Sequence, residues 1–393
     1  MVQERRRIYL DYAATTPIER SVMEAMFPFF DQEFGNPSSI HTFGQIAEAA
    51  LENARILIAE LINCLPEEIT FTSGGSESDN LALRGTALME KKVRNANHLL
   101  ISPVEHHAVS ETARQLAEWY GFKLEYLPVD AYGMVDPADV KKYLRSETAV
   151  VSVIFANNEI GSINPIAEIG SICREKGIPF HTDAVQAAAH LDIDVEQLNV
   201  DLLSIGAHKF YGPKGVGALY VRKGTPLLPT QTGGGQEFGK RAGTHNVPYI
   251  VGMAKALEMI VKDRQKDRET LTCLRDQVVE TILERIPGVQ LTGHPKLRLP
   301  NHASFVFEGV DGNTLLMLLD SHGIACSSGS ACKSGDPKPS DVLLALGLSP
   351  QWALGSLRIT VGRGTTQADI DWLLAVLPQL IEKSRNLEAT SAI

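Results

Sequence analysis

The sequence lacks the features of a membrane protein, a secreted protein or a nucleic-acid-binding protein. No run approaches the roughly 18 consecutive apolar residues that indicate a membrane-spanning helix, and the N-terminus has no apolar stretch of the signal-peptide type. Acidic residues also outnumber basic ones, because the chain has 37 Lys and Arg and 47 Asp and Glu, which gives a formal net charge of −10. A field of that sign repels nucleic acid and anionic lipid. We therefore expect no nucleic-acid partner and no membrane attachment.

Cysteine is scarce, and its spacing argues against two common kinds of site. The five cysteines are odd in number and form no C-x-x-C pair, so neither a disulfide framework nor a thiolate zinc centre is expected. The histidines show no H-E-x-x-H spacing, so we predict no metal site. The composition is otherwise that of a globular protein, with 44% hydrophobic and 21% charged residues. The cysteine usage predicts a reducing, cytoplasmic location.

Strand and helix signals alternate through the first two-thirds of the chain. Continuous apolar runs, such as residues 149–155, are typical of strands buried on both faces, and helical patterns follow them. This alternation favours an α/β fold with a mainly parallel sheet. A long helix near 250–286 then leads into an α+β region that ends in a helix over 367–385 and a frayed tail. We predict a large domain over 15–255 and a smaller α+β domain from 1–14 and 256–393.

Residues 204–221 contain the most informative lysine of the chain. Lys209 follows an apolar run that predicts a buried strand, with His208 before it and glycines after it. A lysine at the end of a buried strand is costly unless it is neutral or covalently used. Schiff-base formation with a carbonyl cofactor uses such a lysine. The alternative is a surface lysine in a Gly/Pro turn, which is how we interpret Lys214.

Polar residues end five of the predicted strands. Ligands of doubly wound sheets bind beyond the carboxyl ends of the strands, so these residues should converge on one crevice. Together they offer glycines for a phosphate, an imidazole, amides, a carboxylate and an amine, at positions 72–76, 105–107, 157–159, 183–186 and 208–209.

Each of these groups also has a purely structural interpretation. The glycines of 73–76 allow close approach of a phosphate to a helix start, or they form an ordinary turn with Ser76 as the helix cap. Asp183 could keep the ring nitrogen of pyridoxal phosphate protonated, or it could cap the next helix. His106 could stack on a planar ring or transfer protons, or it could be a core histidine.

A small-residue segment near the C-terminus offers a nucleophile. Residues 326–339 are rich in Ser, Gly and Pro and predict a mobile loop. Cys332 lies near its middle beside Lys333, and a thiol near a cation is the setting for a reactive thiolate. Cys326 is closer to an apolar run, so we predict that it is buried. Arg358 lies in an apolar strand and requires a carboxylate, either from a substrate or from an internal acid.

These motifs, in this order, resemble the pyridoxal-phosphate-dependent cysteine desulfurases of the class V aminotransferase-like superfamily. The ordered set is more specific than any single motif, and it spans nearly the whole chain. The resemblance implies a fold-type-I architecture, with a mainly parallel large domain and a smaller α+β domain. The matching segments are 9–17, 34–37, 72–80, 105–106, 157–161, 181–186, 208–215, 241–244, 327–332 and 357–358.

The resemblance implies how the cofactor would be held. Lys209 would bind pyridoxal phosphate covalently, Asp183 would pair with its ring nitrogen, and His106 would stack on the ring. Gln186 would contact the ring oxygen, and Asn158 would also lie against the cofactor. The remaining cofactor contacts are to its phosphate and come from Gly75, Ser76 and His208, and from Thr244 of the other subunit of a homodimer.

The resemblance also implies the reaction. Asn158 and Arg358 would bind the carboxylate of L-cysteine, which is converted to L-alanine. Cys332 would accept the sulfur as a persulfide and pass it to acceptors such as iron–sulfur cluster assembly proteins. The alternatives are a selenocysteine lyase, another class V enzyme (an aminotransferase or C–S lyase), and a non-catalytic sulfur carrier. Selenocysteine activity that survives loss of Cys332 would favour the first, and a protein that takes up no cofactor would favour the last.

Two features depart from the family pattern. Gly206 stands where these enzymes often have serine, so one hydroxyl for the phosphate is absent. The chain also ends soon after its last predicted helix, where some members carry a longer tail that docks a cluster-assembly scaffold. The second departure bears on the acceptor rather than on the chemistry.

Overall fold

The computed structural model describes residues 7–329 and 338–391, so Cys332 and Lys333 lie outside the described residues. Within those ranges the strands are β1 (Ile8–Tyr9), β2 (Ile69–Thr72), β3 (His98–Ile101), β4 (Lys123–Tyr126), β5 (Thr148–Ser152), β6 (Phe180–Asp183), β7 (Leu202–Gly206), β8 (Gly217–Val221), β9 (Val289–Leu291), β10 (His302–Phe307), β11 (Ile324–Ala325) and β12 (Ser356–Thr360). The helices are α1 (Arg20–Met26), α2 (Pro28–Asp31), α3 (Thr42–Ile62), α4 (Gly75–Arg94), α5 (His107–Tyr120), α6 (Pro137–Tyr143), α7 (Ile166–Glu175), α8 (Val247–Arg285), α9 (Gly312–Ser321), α10 (Asp341–Ala345), α11 (Pro350–Leu354) and α12 (Gln367–Ser391).

Seven strands of the described chain form one mixed sheet in the order β2-β8-β7-β6-β5-β3-β4. β8 runs antiparallel to both of its neighbours, and the other pairings are parallel. Every residue of β5, β6 and β7 is buried, as expected where helices cover both faces of a parallel sheet. The predicted α/β fold with a mainly parallel sheet is confirmed. The carboxyl ends of all strands but β8 therefore lie at one edge.

A second, smaller core lies under the antiparallel sheet β12-β10-β9 and the parallel pair β1-β11. The long helix α8 joins the two cores. Met253 and Leu257 of its first half pack into the core of the large sheet, and Val278 and Ile282 of its second half pack into the smaller one. This arrangement supports the division of the chain at 15–255, which stays a prediction.

The last helix is longer than the sequence pattern indicated. The frayed tail expected after Arg385 is wrong, because α12 continues to Ser391. Its apolar face, from Ile370 to Ile381, packs in the smaller core. That packing stabilises the helix on both sides of Pro378, so the helix continues past the proline. No helix among the described residues combines the length and apolarity needed to cross a membrane.

A buried ion pair fixes the segment between β8 and α8 to the large sheet. Arg55 of α3 and Glu237 are 2% and 1% exposed, and two bonds of 2.8 and 2.9 Å join them. Glu237 also accepts bonds from the Phe71 backbone N–H and from His245 Nε2, each 2.7 Å long. Burial opposes its ionisation, but the bonds from Arg55 and His245 outweigh burial and lower the pKa of Glu237 to about 2.

We expect Arg55→Ala to destabilise the fold strongly, because it leaves the Glu237 carboxylate buried without its main partner. Removing one member of a buried pair typically costs about 3–5 kcal/mol. Urea unfolding at a fixed protomer concentration measures the loss in the free energy of unfolding. The control is Glu24→Ala, which breaks an ion pair to Arg20 that is 88% and 64% exposed and should cost under about 1 kcal/mol. Equal losses in the two variants would contradict this interpretation.

Candidate active site

The predicted strand ends converge on one cavity of about 600 Å³ at the carboxyl edge of the large sheet. A cavity of this size suits a small-molecule cofactor together with a substrate. Thr244 does not line it and is exposed elsewhere. The predicted site residues that do line the cavity are Gly75, Ser76, His106, Asn158, Asp183, Gln186, His208, Lys209 and Arg358.

Lys209 is half-buried at the floor of this cavity, whereas Lys214 is exposed. It ends a tight turn that follows β7, and its Nζ donates to the carbonyls of Ala13 at 2.6 Å and Ala14 at 2.8 Å. Burial and then the charge of Arg358 lower its pKa to about 8, although carboxylates nearby act in the opposite direction. The interpretation of Lys209 as a surface turn lysine is therefore wrong, and its amine is available in the neutral, nucleophilic form near neutral pH.

This lowered pKa predicts the pH dependence of cofactor attachment. The neutral amine attacks an aldehyde and the ammonium does not, so the rate of attachment to cofactor-free protein should rise with pH and level off above about 8. An ordinary lysine would keep rising toward its usual pKa of about 10.4. Stopped-flow absorbance after mixing with pyridoxal phosphate gives the rate. A rate still climbing tenfold per pH unit at pH 9 would contradict the prediction.

Asp183 ends β6 and lies one strand away from the lysine turn, since it pairs in register with Ser204 of β7. Its Oδ1 accepts the backbone N–H of Val185 at 2.8 Å, so part of the capping interpretation is correct. No described residue donates to its other oxygen. Burial, and then the charge of Asp79, raise the pKa of Asp183 to about 7. A cationic N–H placed at that oxygen would supply the missing donor and stabilise the carboxylate.

His106 faces the same part of the cavity. It caps α5, with Nδ1 accepting from the Ala108 backbone N–H at 3.1 Å. Burial and the positive charge of Lys209 lower the pKa of His106, so its ring is neutral and suited to stacking. Ligand atoms of His106, Asp183 and Asp79 lie within 4.8 Å of one another. Sequence reasoning missed Asp79, although it lies one helical turn after the predicted phosphate loop.

The start of α4 has the properties of a phosphate site. The helix is capped by Gly74 at a φ of 151°, and Gly75 and Ser76 are its first two residues, whose N–H groups have no helical acceptor. The interpretation of Ser76 as the cap is therefore wrong. A Cβ on Gly75 would lie 2.6 Å from Cγ2 of Val185, so only glycine fits there. The helix dipole and the free N–H groups together favour an anion.

Gly206, the position that departs from the family pattern, lies against this helix start, and the predicted phosphate residue His208 lines the same cavity. A Cβ on Gly206 would lie 3.4 Å from the backbone nitrogen of Gly75, so the position where relatives often have serine faces the cradle directly. His208 lies 3.3 Å from the Thr15 hydroxyl through Nδ1. Burial, and then the charge of Lys209, lower the pKa of His208 to about 4. A neutral His208 can bind the phosphate by a hydrogen bond but adds no charge.

Arg358 reaches the cavity from β12 of the smaller core. Its guanidinium donates to the Asn158 carbonyl and to Asp11 Oδ1, both at 2.9 Å. The internal acid that we considered from sequence is thus present as Asp11. A second cavity of about 420 Å³ shares Arg358 and Asn158 with the first and is also lined by Gly329. The chain on one side of the Cys332 segment therefore lies next to the site.

Burial makes three of the four described cysteines poor nucleophiles, and the fourth, Cys273, is an exposed thiol on α8 that lines neither cavity. Cys64, Cys173, Cys273 and Cys326 are free thiols. Burial raises the pKa of Cys64 to about 12 and raises that of Cys326 further. Such thiols stay protonated and unreactive near neutral pH. Cys326 is only partly buried, packed against the smaller core, where we had predicted a buried residue.

Comparison with known proteins identifies the family to which the chain belongs. The family model of aminotransferase class V matches residues 8–373, and the chain belongs to this family. The curated relatives include cysteine desulfurase IscS of Clostridium botulinum, 49% identical over 384 residues (97% of this chain and 96% of the relative). The IscS of Dictyoglomus turgidum is 50% identical over 383 residues, covering 98% and 96%. The resemblance found in the motifs is confirmed.

Solved structures agree with the sequence relatives. A NifS-like protein superposes with a TM-score of 0.89 at 36% identity, covering 96% of this chain and all of that chain. A structure described as SspA in complex with cysteine superposes with a TM-score of 0.79 at 37% identity, covering 90% and 98%. The shared fold therefore extends over both cores of the chain.

Proposed function

We propose that the protein is a pyridoxal-phosphate-dependent cysteine desulfurase, which converts L-cysteine to L-alanine and leaves the sulfur as a persulfide on Cys332. One observation carries the proposal: a lysine amine with a lowered pKa, a buried carboxylate with one oxygen that no described residue donates to, and a glycine-lined helix start share one cavity. These groups fit the aldehyde, the ring nitrogen and the phosphate of this cofactor. When bound, pyridoxal phosphate supplies an electron sink for charge that develops at the substrate Cα.

The residues of the chain have separate tasks in this reaction. Lys209 would hold the cofactor covalently, and its amine would take the proton from the substrate Cα and return one. Asp183 would pair with the ring nitrogen, and His106 would pack on the ring. Gln186 donates through Nε2 to the Ala13 carbonyl at 2.8 Å and lines the cavity, where its amide would contact the ring oxygen.

The sulfur step balances without an external oxidant or reductant. The Cys332 thiolate attacks the substrate sulfur and forms the S–S bond, while the carbon–sulfur bond breaks and its electron pair stays with the substrate carbon. That carbon takes up a proton and the product is alanine. Arg358 would orient the substrate carboxylate and so direct the sulfur toward the second cavity, beside which Gly329 lies.

We further propose that the active form is a homodimer. Thr244 is exposed outside the cavity, as a residue reaching the phosphate of a partner subunit would be. The N-terminal third also exposes a cluster of large apolar side chains, a feature that marks interaction surfaces. Its members are Phe27, Phe30, Phe34, Ile40 and Phe43. Cytoplasmic iron–sulfur assembly proteins are the acceptors we favour for the persulfide.

Product analysis tests the proposed function. Protein loaded with pyridoxal phosphate is incubated with L-cysteine, with and without dithiothreitol, and alanine and sulfide are quantified. We expect equal amounts of both with the reductant, and without it a mass increase of one sulfur on the tryptic peptide that contains Cys332. Release of pyruvate and ammonia in place of alanine would contradict the proposal, as would cysteine left unconsumed. Selenocysteine in a parallel reaction compares the two substrates.

A further inference from the structure

The N-terminal segment, residues 9–16, crosses the cavity, and the motif analysis gave it no function. The carbonyls of Ala13 and Ala14 accept from Lys209, and the Thr16 backbone N–H donates to the His208 carbonyl at 2.9 Å. The only acidic side chain of this segment belongs to Asp11, and it binds Arg358. The segment therefore contacts both the cofactor lysine and the arginine for the substrate carboxylate.

The guanidinium of Arg358 is held at two of its three nitrogens. Nη1 donates to the Asn158 carbonyl and Nη2 donates to Asp11, both at 2.9 Å. Nε is buried and has no hydrogen-bond partner among the described residues. An N–H without an acceptor is costly inside a protein, so this nitrogen is suited to an incoming carboxylate. Arg358 lines both cavities, so a carboxylate bound there would meet this guanidinium while Asp11 holds Nη2.

Asp11 is itself fixed to the strand that carries the arginine. It forms a parallel bridge with Thr360 of β12, and the Thr360 N–H donates to the Leu10 carbonyl at 2.8 Å. The Tyr9 hydroxyl donates to the Asp11 carbonyl at 2.9 Å. Because this bridge holds Asp11 beside β12, which carries Arg358, the ion pair sets the plane of the guanidinium fork. Recognition of a carboxylate by arginine depends on that plane.

We propose that Asp11 is a positioning residue that orients Arg358 toward the carboxylate of the amino-acid substrate. The inference rests on the proposed function, because it requires a substrate that bears a carboxylate beside the reacting centre. Asp11 lines neither cavity, and its side chain binds Arg358. Its charge also acts against the lowering of the Lys209 pKa, but that effect ranks behind those of burial and Arg358. Loss of Asp11 should therefore weaken binding of the substrate carboxylate more than it slows the chemistry.

Steady-state kinetics of Asp11→Asn test this role. Asparagine keeps the size of the side chain but removes its charge. We expect KM for L-cysteine to rise about tenfold, which corresponds to the loss of one charge-assisted hydrogen bond. The turnover number kcat should change less than about threefold. Cysteamine lacks the carboxylate, so its dissociation constant, read from the cofactor absorbance, should not change. Asp192→Asn alters a carboxylate that is 79% exposed, pairs with Arg264 and lines neither cavity, so it should leave both constants unchanged. Thermal melting establishes that each variant is folded.

A double-mutant cycle with Arg358→Lys gives a second, independent measurement. If Asp11 acts through Arg358, the two substitutions raise KM together by less than the product of their separate effects. An unchanged or lower KM for Asp11→Asn overturns the inference. So does a variant that binds cysteine and cysteamine more weakly by the same factor. The inference also fails if the KM of the double variant rises by the product of the two separate effects. If wild-type protein does not turn over cysteine, the proposed function fails instead. If wild-type protein is active and Asp11→Asn has the same KM, this inference is overturned and the proposed function stands.

Discussion

Replacing Cys332 with alanine is expected to abolish release of sulfur from L-cysteine while the visible absorbance of the bound cofactor stays intact. The thiol is the group that makes the new bond, and loss of a nucleophile typically lowers turnover about a thousandfold or more. Cofactor binding depends on the cavity of the large sheet, whose lining includes Lys209 and Asp183 but, among the described residues, none of 326–329 or 338–339. Sulfide release and the absorbance spectrum measure the two properties on one sample.

Cys273→Ala is the matched control for this experiment. Cys273 lies on α8 and is an exposed free thiol, so it is open to the same oxidation and labelling reactions as a loop cysteine. It should retain normal turnover. If the Cys332 variant releases sulfide at the wild-type rate, Cys332 is not the sulfur acceptor and the proposal for that residue fails.

Replacing Lys209 with alanine should remove both covalent attachment of the cofactor and turnover. The lysine is the attacking amine and also the base at Cα, and general acid–base catalysis alone contributes about 10²–10⁴-fold. We therefore expect the rate with L-cysteine to fall at least about 10⁴-fold. Borohydride reduction followed by peptide mass analysis should show the cofactor on the Lys209 peptide of wild-type protein and on no peptide of the variant.

The variant Lys214→Ala tests whether the cofactor attaches to Lys209 or to the nearby Lys214. Lys214 also lines the cavity but is exposed, so its variant should still carry the reduced cofactor on Lys209. A cofactor found on Lys214 in wild-type protein would reverse the assignment of the two lysines.

The parts of the fold that could be predicted from sequence are those with strong local signals. β2 (Ile69–Thr72) consists of β-branched and aromatic residues with glycines soon after it, a combination that indicates a strand ending at that point. The cavity residues could be predicted for a similar reason, since parallel strands bring their carboxyl ends to one edge whatever their order. The capping residue of α4 was assigned wrongly, because serine and glycine are both good caps and only the backbone geometry selects Gly74.

The interactions that could not be predicted are those between distant parts of the chain. The pair Asp11–Arg358 joins residues 347 positions apart, and neither residue lies in a periodic pattern that would indicate its partner. The pair Arg55–Glu237 likewise depends on a segment in which two residues other than glycine have positive φ, 49° at Glu237 and 56° at Phe238. Residues of this kind rarely adopt positive φ without tertiary contacts, so their conformation has no local signal.

The pairing of β1 with β11 determines when the active site can form during synthesis. Ile8 pairs with Ile324, and the Ala13 N–H donates to the Thr360 hydroxyl, so the segment beneath Lys209 needs partners from the far end of the chain. A ribosome makes the large sheet long before residue 360, so the contacts of the N-terminal segment with β11 and β12 form last. Arg358, which lines the same cavity, also arrives only at that stage. The active site is therefore complete only when synthesis is nearly finished. A chain that terminates before β12 lacks part of the site and should be inactive.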